Sequence, residues 1–186
     1  DDTVSPLIAS IVDFTVKLTN FGGCTWIIFS FQIVISHSSP SINHLEVSSS
    51  VSWPTSVCSK LSRFIKKNEL KPVHLLNTHC HIDHVLGNFI IANKYDLKLA
   101  AHRLEEPILE GCSLWGSQYG INGDLSPKID IFIEEFDNIE FGNTKLEVIF
   151  IPGHSPGHVA FINHDQKFVI NGDALSLVDL NTKKSI

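Results

Sequence analysis

The sequence predicts a single α/β domain, and three features of the chain lead to this prediction. Its 186 residues are enough to bury one substantial core, and 43% of them are hydrophobic. After about residue 58, short apolar segments typical of strands alternate with segments of helical periodicity. Histidines are concentrated in loops that directly follow predicted strands. We therefore treat residues 1–186 as one domain with its recognisable core in residues 59–175.

Residues 1–58 differ in composition from the rest of the chain. Residues 24–35 are rich in β-branched and aromatic side chains, which predicts one or two buried strands. Serines then accumulate between Ser36 and Ser56 without a period, as is typical of loops or disorder. We therefore expect residues 1–58 to be atypical or, in part, poorly ordered.

Periodicity predicts the remaining elements in order. A helix is expected at residues 57–65, because their apolar side chains fall on one helical face. Residues 73–77 form a short apolar strand, and residues 85–95 return to helical spacing. The later predictions are a strand at 97–101, a helix at 103–109 weakened by Pro107, mostly loop at 111–127, a strand at 146–151, and a hairpin of 158–163 and 167–171.

The net charge and the cysteines indicate which partners and which cellular compartment to expect. A formal net charge of −6 gives no basic surface for nucleic acid or anionic membranes. The cysteines at 24, 58, 80 and 112 form no close pair, which favours free thiols in a reducing compartment. The longest apolar stretch, about residues 26–35, is too short to span a bilayer, and no basic segment of a signal peptide precedes it. We expect a cytoplasmic protein acting on a small molecule, and oligomeric state stays open.

The first motif is H-x-H-x-D-H, in residues 79–84, directly after a predicted strand. Residues two apart in an extended loop point the same way, so His79, His81 and Asp83 can converge. His84 opens the next helix and turns to the opposite flank, which suits two adjacent ions. Imidazole and carboxylate ligands suit Zn, Fe or Mn. The alternative is a polar turn with coincidental histidines, but such a cluster would be costly to desolvate.

Two further motifs follow predicted strands. Residues 151–158 have the sequence I-P-G-H-S-P-G-H, whose tight turn aims His154 outward as a third imidazole. His158 is either a supporting group beside the ligands or a structural histidine. Asp173 ends a strand beside Gly172, where close backbone approach is possible, so its carboxylate can bridge two metals. Taken alone, Asn-Gly-Asp is ordinary turn composition.

The three motifs, in this order, resemble the metallo-β-lactamase superfamily, and especially its glyoxalase II-like hydrolases. The resemblance covers about residues 61–175 and includes Ala101-His102-Arg103 and Phe141-Gly142-Asn143. It implies a four-layered αββα sandwich with the metal loops along one edge of the sheets. It also implies these ligands: His79, His81 and His154 for one metal, Asp83 and His84 for a second, and Asp173 as the bridge.

Two departures from the family pattern affect this expectation. Residues 1–58 show neither the usual opening strand pair nor its Asp-Pro-Gly-type turn. No histidine follows His164 to serve as the last ligand of the second metal. We therefore expect an incomplete sandwich with a truncated tail at residues 176–186, and a second ion that is held more weakly than the first.

The expected function is that of a metal-dependent hydrolase resembling hydroxyacylglutathione hydrolase. One or two zinc ions, or iron or manganese, activate a water that attacks an acyl carbonyl. The resemblance, rather than any single residue, implies a thioester substrate. Asp83 is the predicted catalytic residue, because it can both ligate metal and orient the nucleophile. Two alternatives are a mononuclear iron oxygenase of the same superfamily and a metal-binding fragment without catalysis.

Overall fold

Strands and helices alternate through most of the chain in the computed structural model, which describes residues 8–17, 28–37, 47–48, 55–118, 125–142 and 144–174. The strands are β1 (Ile8–Lys17), β2 (Ile28–His37), β3 (Val47–Ser48), β4 (Lys71–Leu76), β5 (Leu99–Ala101), β6 (Ile129–Phe132), β7 (Asn138–Phe141), β8 (Thr144–Phe150), β9 (Val159–Asn163) and β10 (Phe168–Ile170). The helices are α1 (Thr55–Lys67), α2 (Ile82–Val85), α3 (Asn88–Tyr95) and α4 (Glu106–Gln118), with a 3-10 turn at Arg103–Glu105.

The described strands form two sheets. The larger sheet has six strands in the order β3-β1-β2-β4-β5-β6, and the smaller has four in the order β10-β9-β8-β7. Strands β4, β5 and β6 are parallel neighbours, so their carboxyl ends lie at the same edge of the larger sheet. In open α/β sheets, ligands bind at the carboxyl edge of the parallel strands. The loop after β4, which contains the first histidine motif, begins at this edge.

Alternation along β4 creates two cores on opposite faces of the larger sheet. Leu75 packs with apolar side chains of α1, α3 and α4 on one face. Leu76 packs on the other face against the smaller sheet, where Leu146 and Phe161 are fully buried. The described residues therefore form three layers, which are helices, the six-stranded sheet and the four-stranded sheet. The predicted α/β fold is confirmed, with two facing sheets as the resemblance implies.

Several predicted elements lie where periodicity placed them. The helix at residues 57–65 is part of α1, and the strands at 73–77, 97–101 and 146–151 correspond to β4, β5 and β8. The predicted hairpin is the antiparallel pair β9 and β10. These segments have one clearly apolar face, and burial of that face stabilises the local structure that the pattern favours.

The prediction of loop at residues 111–127 was wrong for its first half, because α4 continues to Gln118. Pro107 is in the first turn of α4, where its missing N–H is not needed by the helix. Gly111 leaves room for the Trp115 ring, which a Cβ at this position would meet at 3.3 Å. The predicted helix at 85–95 is divided into α2 and α3 at Gly87. Residues 119–124 lie outside the described part.

The expectation that residues 1–58 lack an opening strand pair was also wrong. β1 and β2 pair antiparallel from Ile8 with His37 to Lys17 with Ile28, and β2 continues the larger sheet beside β4. The serine-rich stretch contributes Ser36 to β2, Ser48 to β3 and Ser56 to α1. Its residues 38–46 and 49–54 lie outside the described residues, as does the predicted tail at 176–186. No described helix is both long and apolar enough to cross a membrane.

Candidate metal centre

Backbone hydrogen bonds hold the two histidine loops side by side. The loop after β4 carries Thr78, whose carbonyl accepts a hydrogen bond from the Val159 N–H at the start of β9 (2.9 Å). The loop between β8 and β9 is closed by the Ile151 N–H, which donates to the His158 carbonyl (2.9 Å). Side chains from sequence positions about seventy residues apart therefore project into one space.

His79 occupies the centre of this space. Its imidazole is fully buried, and its ring centroid lies 3.9 Å from that of His84 and 4.8 Å from those of His81 and His154. The Thr78 hydroxyl lies 3.1 Å from His79 Nδ1 and fixes the ring orientation. The other nitrogen, Nε2, is buried and has no hydrogen-bond partner. When Nδ1 carries the proton, the Nε2 lone pair is free to bind a metal.

Two groups of side chains have the spacing of metal ligands. In the first, the ligand atoms of His79, His81 and His154 all lie within 4.8 Å of one another. His81 Nδ1 and His154 Nε2 are only 2.9 Å apart, so their ring nitrogens face each other. In the second group, His79, His84 and Asp173 satisfy the same distance limit. Because one imidazole nitrogen binds one ion, His79 can serve only one of these groups at a time.

The Asp173 carboxylate belongs to the second group and also faces a histidine of the first. Its Oδ1 is 3.4 Å from His84 Nε2, and its Oδ2 is 3.6 Å from His154 Nε2. Each carboxylate oxygen therefore faces a histidine that belongs to a different group. This is the position that a bridging ligand between two ions would occupy.

Asp83 is placed less centrally than the extended-loop interpretation suggested. The chain becomes helical at Ile82, so Asp83 lies in the first turn of α2 and is not aligned with His79 and His81. Its Oδ2 is 3.6 Å from His84 Nε2, and it belongs to neither group of close ligand atoms. The structure thus brings Asp83 to the His84 side of the site.

His158 contacts a predicted ligand through the backbone. Its ring is fully buried, and its Nε2 accepts a hydrogen bond from the Asp173 N–H (3.3 Å). Gly172 makes this approach possible, because a Cβ there would meet His158 Nε2 at 2.9 Å and would also clash with Thr78. Gly172 has φ of +52°, which a side chain rarely tolerates. The arrangement is that of a group that supports Asp173.

Burial lowers the pKa of three histidines in the cluster, His79, His81 and His158, and so favours their neutral forms. Burial, followed by repulsion from His84, lowers the pKa of His79 far below its usual range. Burial and then His154 lower the pKa of His81, and burial lowers that of His158 to about 4. The pKa of Asp173 is held below its usual value, chiefly by a hydrogen bond from His84. Neutral imidazoles and an ionised carboxylate are the protonation states that bind metal.

Cys80 lies between two of the predicted ligands but is not positioned as one. Its side chain is fully buried in the core on the helical side of the larger sheet. Burial, followed by the Glu105 carboxylate, raises the pKa of its thiol well above the usual range, so the thiolate form is disfavoured. Cys58, Cys80 and Cys112 are free thiols, as predicted for the described cysteines.

Sequence reasoning missed two sets of supporting residues. Asn77 donates from Nδ2 to the His84 carbonyl (2.8 Å) and accepts from Asn88 Nδ2 (2.6 Å). Glu105 is fully buried and accepts hydrogen bonds from both histidine loops. The available signal for Glu105 was a carboxylate shortly after β5, at the same sheet edge as the first motif. Both sets fix the backbone on which the histidines are carried.

The donor set fits a transition metal. It consists of several imidazole nitrogens and one or two carboxylates. A set rich in imidazole suits Zn, Fe or Mn, whereas Ca and Mg prefer oxygen ligands throughout. The buried His79 Nε2 atom without a partner fits the same interpretation, because such atoms are rare in folded proteins.

Comparison with known proteins extends these observations. A profile of the Metallo-beta-lactamase superfamily matches residues 52–179. The chain is 36% identical over 118 residues to a probable metallo-hydrolase of Bacillus subtilis, an alignment that covers 62% of this chain and 56% of that protein. It is 34% identical to the mitochondrial persulfide dioxygenase of Mus musculus, over 61% of this chain and 37% of that protein. It is also 34% identical to the hydroxyacylglutathione hydrolase of Pelagibacter ubique, over 63% and 43% respectively.

Solved structures show the same similarity. A crystal structure of a protein in a di-iron-bound form superimposes with a TM-score of 0.55 at 32% identity, over 62% of this chain and 56% of that chain. The present chain spans about half, or less, of the length of the curated relatives that it matches. The segment matched by the family profile, residues 52–179, covers more than half of the chain and contains all six predicted ligands. The chain belongs to the metallo-β-lactamase superfamily.

Proposed function

We propose that the chain is a metal-dependent hydrolase that directs a metal-activated water at an acyl carbonyl, with a thioester as the substrate class. One observation carries the proposal. The buried His79 Nε2 atom has no hydrogen-bond partner and is flanked by the rings of His81 and His154. A buried polar atom without a partner destabilises the fold, and a bound metal ion would remove that cost.

The proposed ligands fall into two sets. His79, His81 and His154 would hold one ion, and Asp83 and His84 would hold a second, with Asp173 as the bridge. When bound, zinc, iron or manganese lowers the pKa of a water toward ~7 and stabilises negative charge that develops on the substrate oxygen. Asp173 is suited to its role because its two oxygens face His84 and His154 at 3.4 and 3.6 Å.

Asp83 is the proposed catalytic residue. Its side chain is 25% exposed, so it can contact substrate and solvent, and it lies beside the buried His84. An ionised carboxylate there can accept a hydrogen bond from the attacking water and keep it aligned with the carbonyl. His158 would act indirectly, by holding the Asp173 backbone at the edge of the site.

The substrate class is supported by similarity to the hydroxyacylglutathione hydrolase of Pelagibacter ubique, whose name describes thioester hydrolysis. The net charge of −6 is consistent with a small-molecule substrate and gives no support for nucleic acid or an anionic membrane as a partner. We propose a cytoplasmic location, because the described cysteines are free thiols, as is usual in a reducing compartment.

A mononuclear iron oxygenase is the second candidate, and a specific observation favours it. The group of His79, His84 and Asp173 has two histidines and one carboxylate, the ligand set of non-haem iron oxygenases. The persulfide dioxygenase of Mus musculus is as similar in identity as the hydrolase of Pelagibacter ubique. The third candidate is a chain that binds metal but catalyses no reaction.

Activity measured with each metal distinguishes these candidates. We expect the purified chain, loaded with Zn²⁺, Mn²⁺ or Fe²⁺, to release thiol from a small acyl thioester without consuming oxygen. Oxygen consumption with glutathione persulfide, restricted to the Fe²⁺-loaded chain and without thioester hydrolysis, would make the oxygenase the correct assignment. Bound metal with neither activity would leave only the third candidate. His81→Ala is the control, because any activity that survives it does not come from this centre.

A further inference from the structure

Glu105 links the two loops that carry the predicted metal ligands. Its Oε2 accepts a hydrogen bond from the Cys80 N–H (2.7 Å), in the loop after β4. Its Oε1 accepts from the Ser155 hydroxyl (2.5 Å) and from the Gly157 N–H (2.6 Å), in the loop between β8 and β9. The donors are therefore neighbours of His79 and His81 on one side and of His154 and His158 on the other.

The site around Glu105 is built to receive a carboxylate. The side chain is fully buried, and burial of a charge is costly unless hydrogen bonds compensate it. Three short donors to one carboxylate provide that compensation, and such charge-assisted bonds are about twice as strong as neutral ones. Ser155 is itself 1% exposed, so its hydroxyl is committed to this contact.

Gly157 shows that close approach to Glu105 is required. A Cβ at position 157 would lie 2.9 Å from Glu105 Cγ and 3.0 Å from Glu105 Oε1. Any larger residue would therefore push the second loop away from the carboxylate. Ser155 and Gly157 were part of the second motif but had no assigned role, and the contact with Glu105 explains both.

We propose that Glu105 is a positioning residue that sets the distance between His81 and His154 by binding the backbone of both loops, and thereby determines metal affinity. This inference rests on the proposed metal centre but not on the identity of the substrate. His81 Nδ1 and His154 Nε2 lie 2.9 Å apart, so a small shift of either loop changes the geometry offered to an ion. Loss of such a supporting contact typically costs ~10–100-fold in metal affinity.

The test compares Glu105→Gln with wild type, using Co²⁺ as the probe metal and no substrate. Glutamine has the same shape, but its amide has only one acceptor oxygen. In either orientation, its NH₂ group must face a backbone N–H, of Cys80 or of Gly157. We expect Co²⁺ affinity to fall ~10–100-fold and the visible absorption of bound Co²⁺ to change. Glu110→Gln, the same change at an exposed position of α4, should alter neither property.

Coupling between residues makes the test specific. Ser155→Ala removes one of the three donors and should weaken Co²⁺ binding less than Glu105→Gln. In the double variant Glu105→Gln/Ser155→Ala, the serine change should have little further effect, because its hydroxyl acts through Glu105. Equal and additive effects would show that Ser155 acts independently.

Three outcomes would overturn or redirect the proposal. If Glu105→Gln lowers only the melting temperature and binds Co²⁺ with wild-type affinity and spectrum, Glu105 stabilises the fold and does not position ligands. If Glu105→Gln does not fold, the same measurements on Ser155→Ala decide, and an unchanged spectrum and affinity reject the proposal. If wild type does not bind Co²⁺, the metal centre itself is wrong, which is a different failure from an unaffected Glu105 variant.

Discussion

Replacing His79 with alanine should abolish metal binding, because His79 is the one residue common to both groups of candidate ligands. We expect metal affinity to fall by more than ~100-fold, the upper end of the cost of losing a mere supporting contact. The consequence should be visible in stability. An ion present at about a thousand times its Kd adds ~4 kcal/mol, which for a domain of this size raises Tm by roughly 8–16 °C.

The measurement is thermal unfolding with and without a chelator. Chelation should lower the Tm of wild type by the amount above and should leave the Tm of His79→Ala unchanged. Since alanine at a fully buried position also leaves a cavity, His81→Ala, at a partly exposed position, is the second variant. His164→Ala, in the distant turn of the β9–β10 hairpin, is the control and should respond to chelator as wild type does. A chelator without effect on wild type would show that the histidine loops do not jointly hold an ion.

Asp83→Ala should reduce turnover more than it reduces substrate binding. The proposed role of Asp83 is to orient the attacking water, and misplacing a reacting group by about 1 Å costs ~100-fold. We therefore expect kcat for thioester hydrolysis to fall at least ~100-fold, while KM changes little. The comparison is made at saturating metal, so that any loss of affinity for the second ion does not contribute.

Two further variants separate catalysis from support. Asp165→Ala removes an exposed carboxylate in the hairpin turn and should leave kcat unchanged. His158→Ala should lower kcat ~10–100-fold, because His158 acts through the Asp173 backbone. If His158→Ala is inactive while Asp83→Ala retains activity, the two roles have been assigned in reverse.

The central part of the site could be predicted from the sequence, because the spacing of its histidines within one loop is a local property. His79 and His81 lie two residues apart in a loop that follows a strand, and the chain keeps them on one side until Ile82. His154 and Asp173 were predicted from the order of motifs, and the structure brings both next to that loop. The start of α2 at Ile82 was not visible, because a single helical turn leaves no periodicity.

The contacts that hold the site together depend on tertiary packing and could not be predicted. Glu105 and Ser155 are fifty positions apart in sequence, and only the fold brings the two into hydrogen-bond distance. The second half of α4, from residue 111 to Gln118, was missed because glycine is a poor helix former in isolation. In the folded chain, Pro107 lies in the first turn, and Gly111 makes room for the ring of Trp115.

The metal content of the purified chain tests the central claim most directly. After reconstitution with zinc or iron and extensive dialysis, elemental analysis should give nearer one ion than two per chain. One ion is expected because the proposed second set offers only Asp83, His84 and the bridging Asp173, whereas three histidines and the same bridge would hold the first ion. Retention of no zinc, iron or manganese by the folded wild-type chain, at neutral pH and after reconstitution, would contradict the account.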